Sequence, residues 1–319
     1  MSGLPFSLWL LLIDSRRATL TEPDTLWHYT DAGGLLGVLG SNPEPRDPNI
    51  EGPQSCRPSF RATAVEYLND SRELIHGLGI LKEQVLIPRA DELSAINYRP
   101  DEPHLVANPK EKADFLRALC ETIEKVEQRT YGNHIHCYVT SFSEHNDVLS
   151  QWRAYCGGLD GFAIGIDASM LPDTPEAKVK QVLYDDDPAS WKTVTDYVHR
   201  WVDRRLRDTE APEASPGMFD HCIRQLSRYA TQFKHNGFRE EAEWRVIHLG
   251  MSGGASYRNR GAKLIPYVTW SLPADAVVAV RVGPGPNQHE NYLAAQGALH
   301  AFGYTTAAKN LTISPTPYR

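Results

Sequence analysis

A chain of 319 residues with a formal net charge of −7 has no basic excess with which to hold nucleic acid by charge alone. Its 41% hydrophobic and 23% charged residues are the balance of a soluble globular protein with room for a substantial core. The five cysteines (Cys56, Cys120, Cys137, Cys156 and Cys222) are odd in number and never form C-x-x-C, which predicts free thiols in a reducing cytoplasm and no zinc framework.

The first apolar run, Leu8-Trp9-Leu10-Leu11-Leu12-Ile13, is too short to span a bilayer. It lacks the flanks of a targeting signal and reads as a short docking helix or strand. Residues 1–24 are an N-terminal extension, and residues 25–319 are one domain. Residues 26–30 read as a strand. Asp31 then caps a helix carrying Leu35, Leu36 and Leu39. Residues 41–58 form a long irregular connection and 60–63 a strand. Asn69, Asp70 or Ser71 caps a helix with Leu74, Ile75, Leu78 and Leu81. Residues 88–110, rich in proline and polar groups, read as a surface loop. Residues 110–128 put Phe115, Leu116, Leu119, Ile123 and Val126 on one helical stripe.

The middle of the chain reads as strand 136–142, helix 147–155 ended by Gly157-Gly158, and strand 161–166. Two long helices follow, 188–207 and 218–234. Strands are expected at 244–249, 264–270, 276–282 and 311–314, with a helix at 286–302. Strands and helices mix without regular βαβ alternation, so the fold class is α+β. The helical segments near 71–128 and 188–234 read as insertions.

The most pointed chemistry lies in Phe238-Arg239-Glu240-Glu241-Ala242-Glu243-Trp244-Arg245. On an extended chain Glu241 and Glu243 face the same side and Glu240 points away. That geometry suits paired-carboxylate chemistry. His28 sits at a strand end before a helix N-terminus, where anionic ligands bind. His134-x-His136 beside Cys137 offers two ligands on one face, but no second cluster with matching spacing completes a metal site. His145 and Asp147 read as capping or ligand-rim residues. No G-x-S-x-G, P-loop, G-x-G-x-x-G or H-E-x-x-H occurs. The arginines of the helix 188–207 read as a solvated face.

His28-Tyr29-Thr30, then Thr140-Ser141-Phe142-Ser143, then Tyr155, then Glu241-x-Glu243 resembles, in order and type, the ADP-ribosyltransferase superfamily. The chain also resembles a bacterial family built on a domain of unknown function. That second likeness rests on the early H-Y-T, Leu68-Asn69-Asp70, Phe142-Ser143-Glu144, Gln151-Trp152-Arg153-x-Tyr155, Glu241-x-Glu243-Trp244-Arg245 and the terminal Pro317-Tyr318-Arg319.

The first resemblance implies a split β-sandwich core with NAD as substrate and no metal. His28, Tyr29 and Thr30, with Ser141, Ser143 and Tyr155, would bind NAD. His28 would hydrogen-bond the adenosine ribose and Tyr155 would stack on nicotinamide. Glu243 would stabilise the cation formed as nicotinamide leaves, and Glu241 would orient or deprotonate an acceptor. The implied activity is ADP-ribosyl transfer to a protein or nucleic acid, or NAD hydrolysis. The family likeness implies a setting of bacterial conflict or phage defence; no membrane partner is expected. The Thr63 strand competes with Ser141 for the second motif. Two other readings stay open. One is an RNA- or nucleotide-acting enzyme on a related fold. The other is a non-catalytic interaction or sensor module, in which Glu243 would be buried against Arg245 or Arg239.

Overall fold

The computed structural model describes residues 23–40, 56–68, 72–97, 108–156, 160–184, 188–207, 216–250 and 254–317. The apolar run at 8–13, the 41–55 connection, the capping residues at 69–71, Gly157-Gly158 and the terminal Tyr318-Arg319 lie outside them. No helix among the described residues is long and apolar enough to cross a membrane.

In chain order the elements are β1 (Thr25–Thr30), α1 (Ala32–Leu39), β2 (Ser59–Ala64), α2 (Arg72–Leu81), α3 (Ile87–Ser94) and α4 (Pro109–Glu127). Then come β3 (Cys137–Ser143), α5 (Leu149–Tyr155), β4 (Phe162–Asp167), β5 (Ala177–Gln181) and β6 (Leu183–Tyr184). The helices α6 (Pro188–Arg207) and α7 (Pro216–Ala230) lead to β7 (Phe233–Lys234) and β8 (Glu243–Leu249). The chain closes with β9 (Ser256–Arg260), β10 (Lys263–Ser271), β11 (Val277–Val282), α8 (Gln288–Ala301), α9 (Thr305–Lys309) and β12 (Leu311–Ile313). This is an α+β arrangement, as the irregular alternation predicts.

Among the described residues ten strands form one mixed sheet, in the order β12-β11-β4-β1-β3-β2-β10-β9, with β8 on β3 and β5 on β8. The hub is β3. One of its edges pairs with β8 along the whole strand, from Cys137↔Leu249 to Ser143↔Glu243. Its other edge is shared. β1 joins at Ser143 through Trp27, and β2 joins at the opposite end through Thr63↔Val139 and Ala64↔Tyr138. The sheet therefore forks at the middle of β3. The carbonyl of Ser141, left without a strand partner at the fork, accepts a hydrogen bond from Nδ1 of His28 at 3.0 Å.

Helices cover both faces. On one, α2, α3, α4, α6 and α7 share a core with Cys137 and Val139 of β3 and Ile247 of β8. The two helical segments read as separate insertions thus fold together as one layer. The predicted stripe of α4 is buried as expected, each large apolar side chain contributing about 1.5–3 kcal/mol. On the other face, Leu35, Val38 and Leu39 of α1 pack with Leu26, Phe60, Phe142, Trp244 and residues of α8 and α9. Asp31 caps α1 as expected, accepting from the Gly34 amide at 2.7 Å.

Two expectations fail. Residues 88–110 are not all loop, since α3 continues from α2 through a π-helical turn at Lys82–Leu86. Pro88 follows the π turn directly, and the wider turn accommodates its ring and missing N–H inside the continuous helix. The helix predicted to run to residue 234 ends at Ala230, and Phe233–Lys234 pairs instead with β6. β5, β6, β9 and α9 are not foreseen, because they are short or carry too few apolar residues to show a period.

Candidate active site

Directly opposed residues in an antiparallel ladder share a face. Ser143 opposes Glu243, and Ser141 opposes Arg245. The pleat therefore brings these four to the face covered by the helical layer. Lys234 reaches the same place from β7, and Glu73 reaches it from the first turn of α2.

The result is a buried cluster of three carboxylates and two cations. Lys234 Nζ donates to Glu241 Oε2 at 2.7 Å and to Glu243 Oε2 at 2.8 Å, and it pairs with Glu73 at 3.2 Å. Arg245 grips Glu243 in a fork, Nε to Oε1 at 2.8 Å and Nη2 to Oε2 at 2.8 Å. The same Nη2 donates to Glu73 Oε2 at 2.5 Å, and Nη1 donates to the Thr231 carbonyl at 2.7 Å. Such planar, bidentate pairing is what a guanidinium does best. Glu243 is 3% exposed and Arg245 2%, so solvent does not reach either as the structure stands.

Glu241 and Glu243 do converge, but not for the reason the sequence suggests. Glu241 ends a 3-10 turn over Asn236–Glu241, and the strand begins only at Glu243. Between them Ala242 takes a left-handed conformation, φ 41°. That kink, which costs an alanine about 1–2 kcal/mol, swings Glu241 inward. Ser143 holds it there, its Oγ donating to the Glu241 carbonyl at 2.7 Å. Glu240 is exposed, as expected.

Environment separates the two carboxylates. Burial pushes Glu243 up, but Arg245 and Lys234 overcome it and hold the carboxyl below its usual range. For Glu241 burial wins over the single contact with Lys234, and the pKa is raised. Divergent tuning of neighbouring carboxylates is how acid and base roles are divided in many active sites. Tyr155, on α5, is half-buried and feels Glu243, Lys234, Glu241 and Arg245. Burial first, then those carboxylates, keep it a phenol. Tyr184 Oη accepts from the Glu243 amide at 3.1 Å.

Residues 151–246 match the model of a family described as protein of unknown function (DUF2971). The DUF2971 segment carries Tyr155, Lys234, Glu241, Glu243 and Arg245, all but one charge of the cluster. Glu73, Ser141 and Ser143 come from outside it. No curated protein and no solved structure matches the chain.

The remaining expected site residues divide across the sheet. Tyr29 shares the face of Ser143 and packs on Trp152, with ring centroids 4.6 Å apart. Its hydroxyl donates to the His145 carbonyl and accepts from the Val148 amide, so it fixes the loop before α5. His28 and Thr30 lie on the opposite face. The His28 ring packs against Phe60 and Phe142, centroids 5.4 and 5.6 Å away. Burial lowers its pKa, and the Ser141 carbonyl fixes the proton on Nδ1. Thr63 bonds Arg258 Nη2 and does not reach the cluster. Asp147 accepts from Trp152 Nε1 and Ser314 Oγ. Among the described residues, no group of three or more His, Cys, Asp or Glu could hold a metal.

Lys234 and Glu73 are missed by sequence reasoning. Lys234 reads as the end of a helix, and nothing in the sequence singles out Glu73. Arg245 was legible only as the buried partner of Glu243 that the non-catalytic reading names, and the structure shows that pair.

Proposed function

We propose that the chain is an NAD-consuming enzyme, an ADP-ribosyltransferase or NAD glycohydrolase, with its centre at Glu241 and Glu243. The observation that carries this reading is the divergence of the two carboxylates beside the half-buried ring of Tyr155. In the reaction the bond between nicotinamide and ribose C1′ breaks, and nicotinamide leaves with the electron pair. Glu243, held ionised, stabilises the cation at C1′. An oxygen of water, or a nucleophile of a macromolecular acceptor, bonds to C1′ and gives its proton to Glu241, whose raised pKa suits a proton acceptor. Tyr155 provides the aromatic surface for nicotinamide. The order of H-Y-T, Ser141 and E-x-E along the chain is what suggests this chemistry; in the structure Tyr29 shares the face of Glu243, while His28 and Thr30 lie on the other face. A role in bacterial conflict or phage defence belongs to the same proposal.

A second reading has its own observation. Glu243 makes three charge-assisted bonds at 3% exposure. A carboxylate so enclosed also fits a non-catalytic module in which the cluster clamps the helical layer to the sheet. The two separate on Glu241→Gln, assayed with NAD for nicotinamide and for label transfer to lysate. The enzymatic reading predicts nicotinamide release by the wild type and loss of transfer in the variant. No release by the wild type, with no NAD binding, favours the clamp.

A further inference from the structure

Tyr138 lies at the other end of β3, about 17 Å from Ser143 at ~3.4 Å per residue, and on the opposite face of the sheet. Beside it opens a small cleft of about 130 Å³ whose polar lining is Glu66, His134, His136, Tyr138 and Tyr257, with Pro266 closing one side. The space admits a small planar group.

Glu66 is the informative residue. Its Oε1 accepts from the Ile135 amide at 2.8 Å, but its Oε2 is buried and has no hydrogen-bond partner. His134 Nδ1 stands 4.0 Å from Oε1, and its side chain is half exposed. Among the described residues no lysine or arginine pairs with Glu66. Arg224, which acts on His136, is engaged with the Gly250 carbonyl and His221. Asp220 is engaged with Tyr131 and Asn133. The Glu66 side chain is 24% exposed and lines the cleft, with one carboxylate oxygen enclosed and without a donor, an unfavourable state for an anion. His136 adds a second departure from the ordinary, a left-handed backbone at φ 55°. Strain of that kind persists where the surroundings impose it, and it gathers at binding sites. Burial lowers the His136 pKa; its Nδ1 faces the Tyr138 hydroxyl at 3.4 Å, which leaves Nε2 as the lone pair to offer when Nδ1 carries the proton.

We propose that this cleft binds a guanidinium group, with Glu66 as its carboxylate partner, His134 and His136 as further acceptors, and Tyr138 and Tyr257 as its walls. A guanidinium is planar, carries five donors and accepts nothing. It therefore matches a lining that is rich in acceptors and poor in charge-bearing donors. Tyr138 and Tyr257 bring aromatic rings to the lining, a surface that attracts a cation. The group comes either from a small alkylguanidine or from an arginine side chain of a partner protein. Distance and face both separate this site from Glu243, so the inference stands apart from the chemistry proposed there.

The test is titration of the full chain with methylguanidinium, with N-acetyl-argininamide and with methylammonium, at constant ionic strength, read on the imidazole NMR signals of His134 and His136. Saturable shifts with the two guanidinium compounds, weakened about tenfold (~1.4 kcal/mol) in Glu66→Gln, are expected. Glutamine keeps an oxygen for the Ile135 amide, and circular dichroism checks the fold. Tyr257→Ala, at an exposed ring, serves as a second variant and should also weaken the shifts. Tighter binding of the argininamide points to a partner's arginine as the source, and tighter binding of methylguanidinium to a small ligand. Shifts that do not saturate, that persist unchanged in both variants, or that methylammonium reproduces equally would overturn the assignment.

Discussion

Lys234 is the residue on which the buried cluster turns, because it alone touches all three carboxylates. Replacing it by methionine keeps much of the volume and leaves Arg245 to balance Glu73, Glu241 and Glu243. Removing one partner of a buried ionic group costs about 3–5 kcal/mol, so urea denaturation at pH 7 should show a loss of that size for Lys234→Met. A loss under 1 kcal/mol would mean that water reaches the cluster. His248 gives a pH test at the same scale. Its ring packs on Trp270 at 5.3 Å, its Nε2 has no partner, and burial lowers its pKa to about 4. Between about pH 6.5 and about pH 4 the unfolded chain holds a proton there that the folded chain refuses. Stability from this group is therefore complete above 6.5 and is lost as the pH falls through that window. His248→Phe should keep stability that the wild type loses between pH 7 and pH 5, and parallel urea midpoints would refute the assignment. The E-x-E pair was legible because two carboxylates before an apolar run are conspicuous. Their convergence was not, since it depends on the left-handed Ala242, a conformation that alanine does not advertise.

Elements position the charges, and their packing is tight where it matters. Gly77 of α2 faces the end of α7, where an added Cβ would stand 2.1 Å from the Ala230 carbonyl oxygen. Backbone cannot yield as a side chain does. Gly77→Ala should push α2 from α7 and destabilise by at least the ~1–3 kcal/mol of ordinary overpacking. It should also spread Glu73 from Lys234, which the two helices and β7 hold 3.2 Å apart. A thermal melt matching the wild type would show that the helices slide without cost. Long periodic elements were readable: α4 shows its apolar stripe, and β3, β8 and β11 show apolar runs. Ends and interruptions were not. The π turn before Pro88 hides a helix inside what looks like a loop, and β7 looks like the tail of α7. β5, Ala-Lys-Val-Lys-Gln, carries lysines at two of five positions and gains its place only by pairing with β8.

Across the whole molecule, α2, α3, α4, α6 and α7 join with β7 into one layer that closes over the Ser143–Glu243 end of the sheet. That layer supplies Glu73 and Lys234, so the candidate site exists only when segments 160 residues apart have folded together. Such long-range assembly is invisible to local periodicity, which explains why order and type of motif were legible while the partners of Glu243 were not. It also explains why the H-Y-T divides, since alternation along β1 sends Tyr29 to the cluster's face and His28 to the other. The central claim is that Glu243 does chemistry and is more than a clamp. The direct measurement is nicotinamide release from NAD by the wild type and by Glu243→Gln, with thermal melts of both. A folded variant that releases no nicotinamide while the wild type does is the predicted result. Equal release by the two proteins, or none by either with a large loss of stability in the variant, would contradict it.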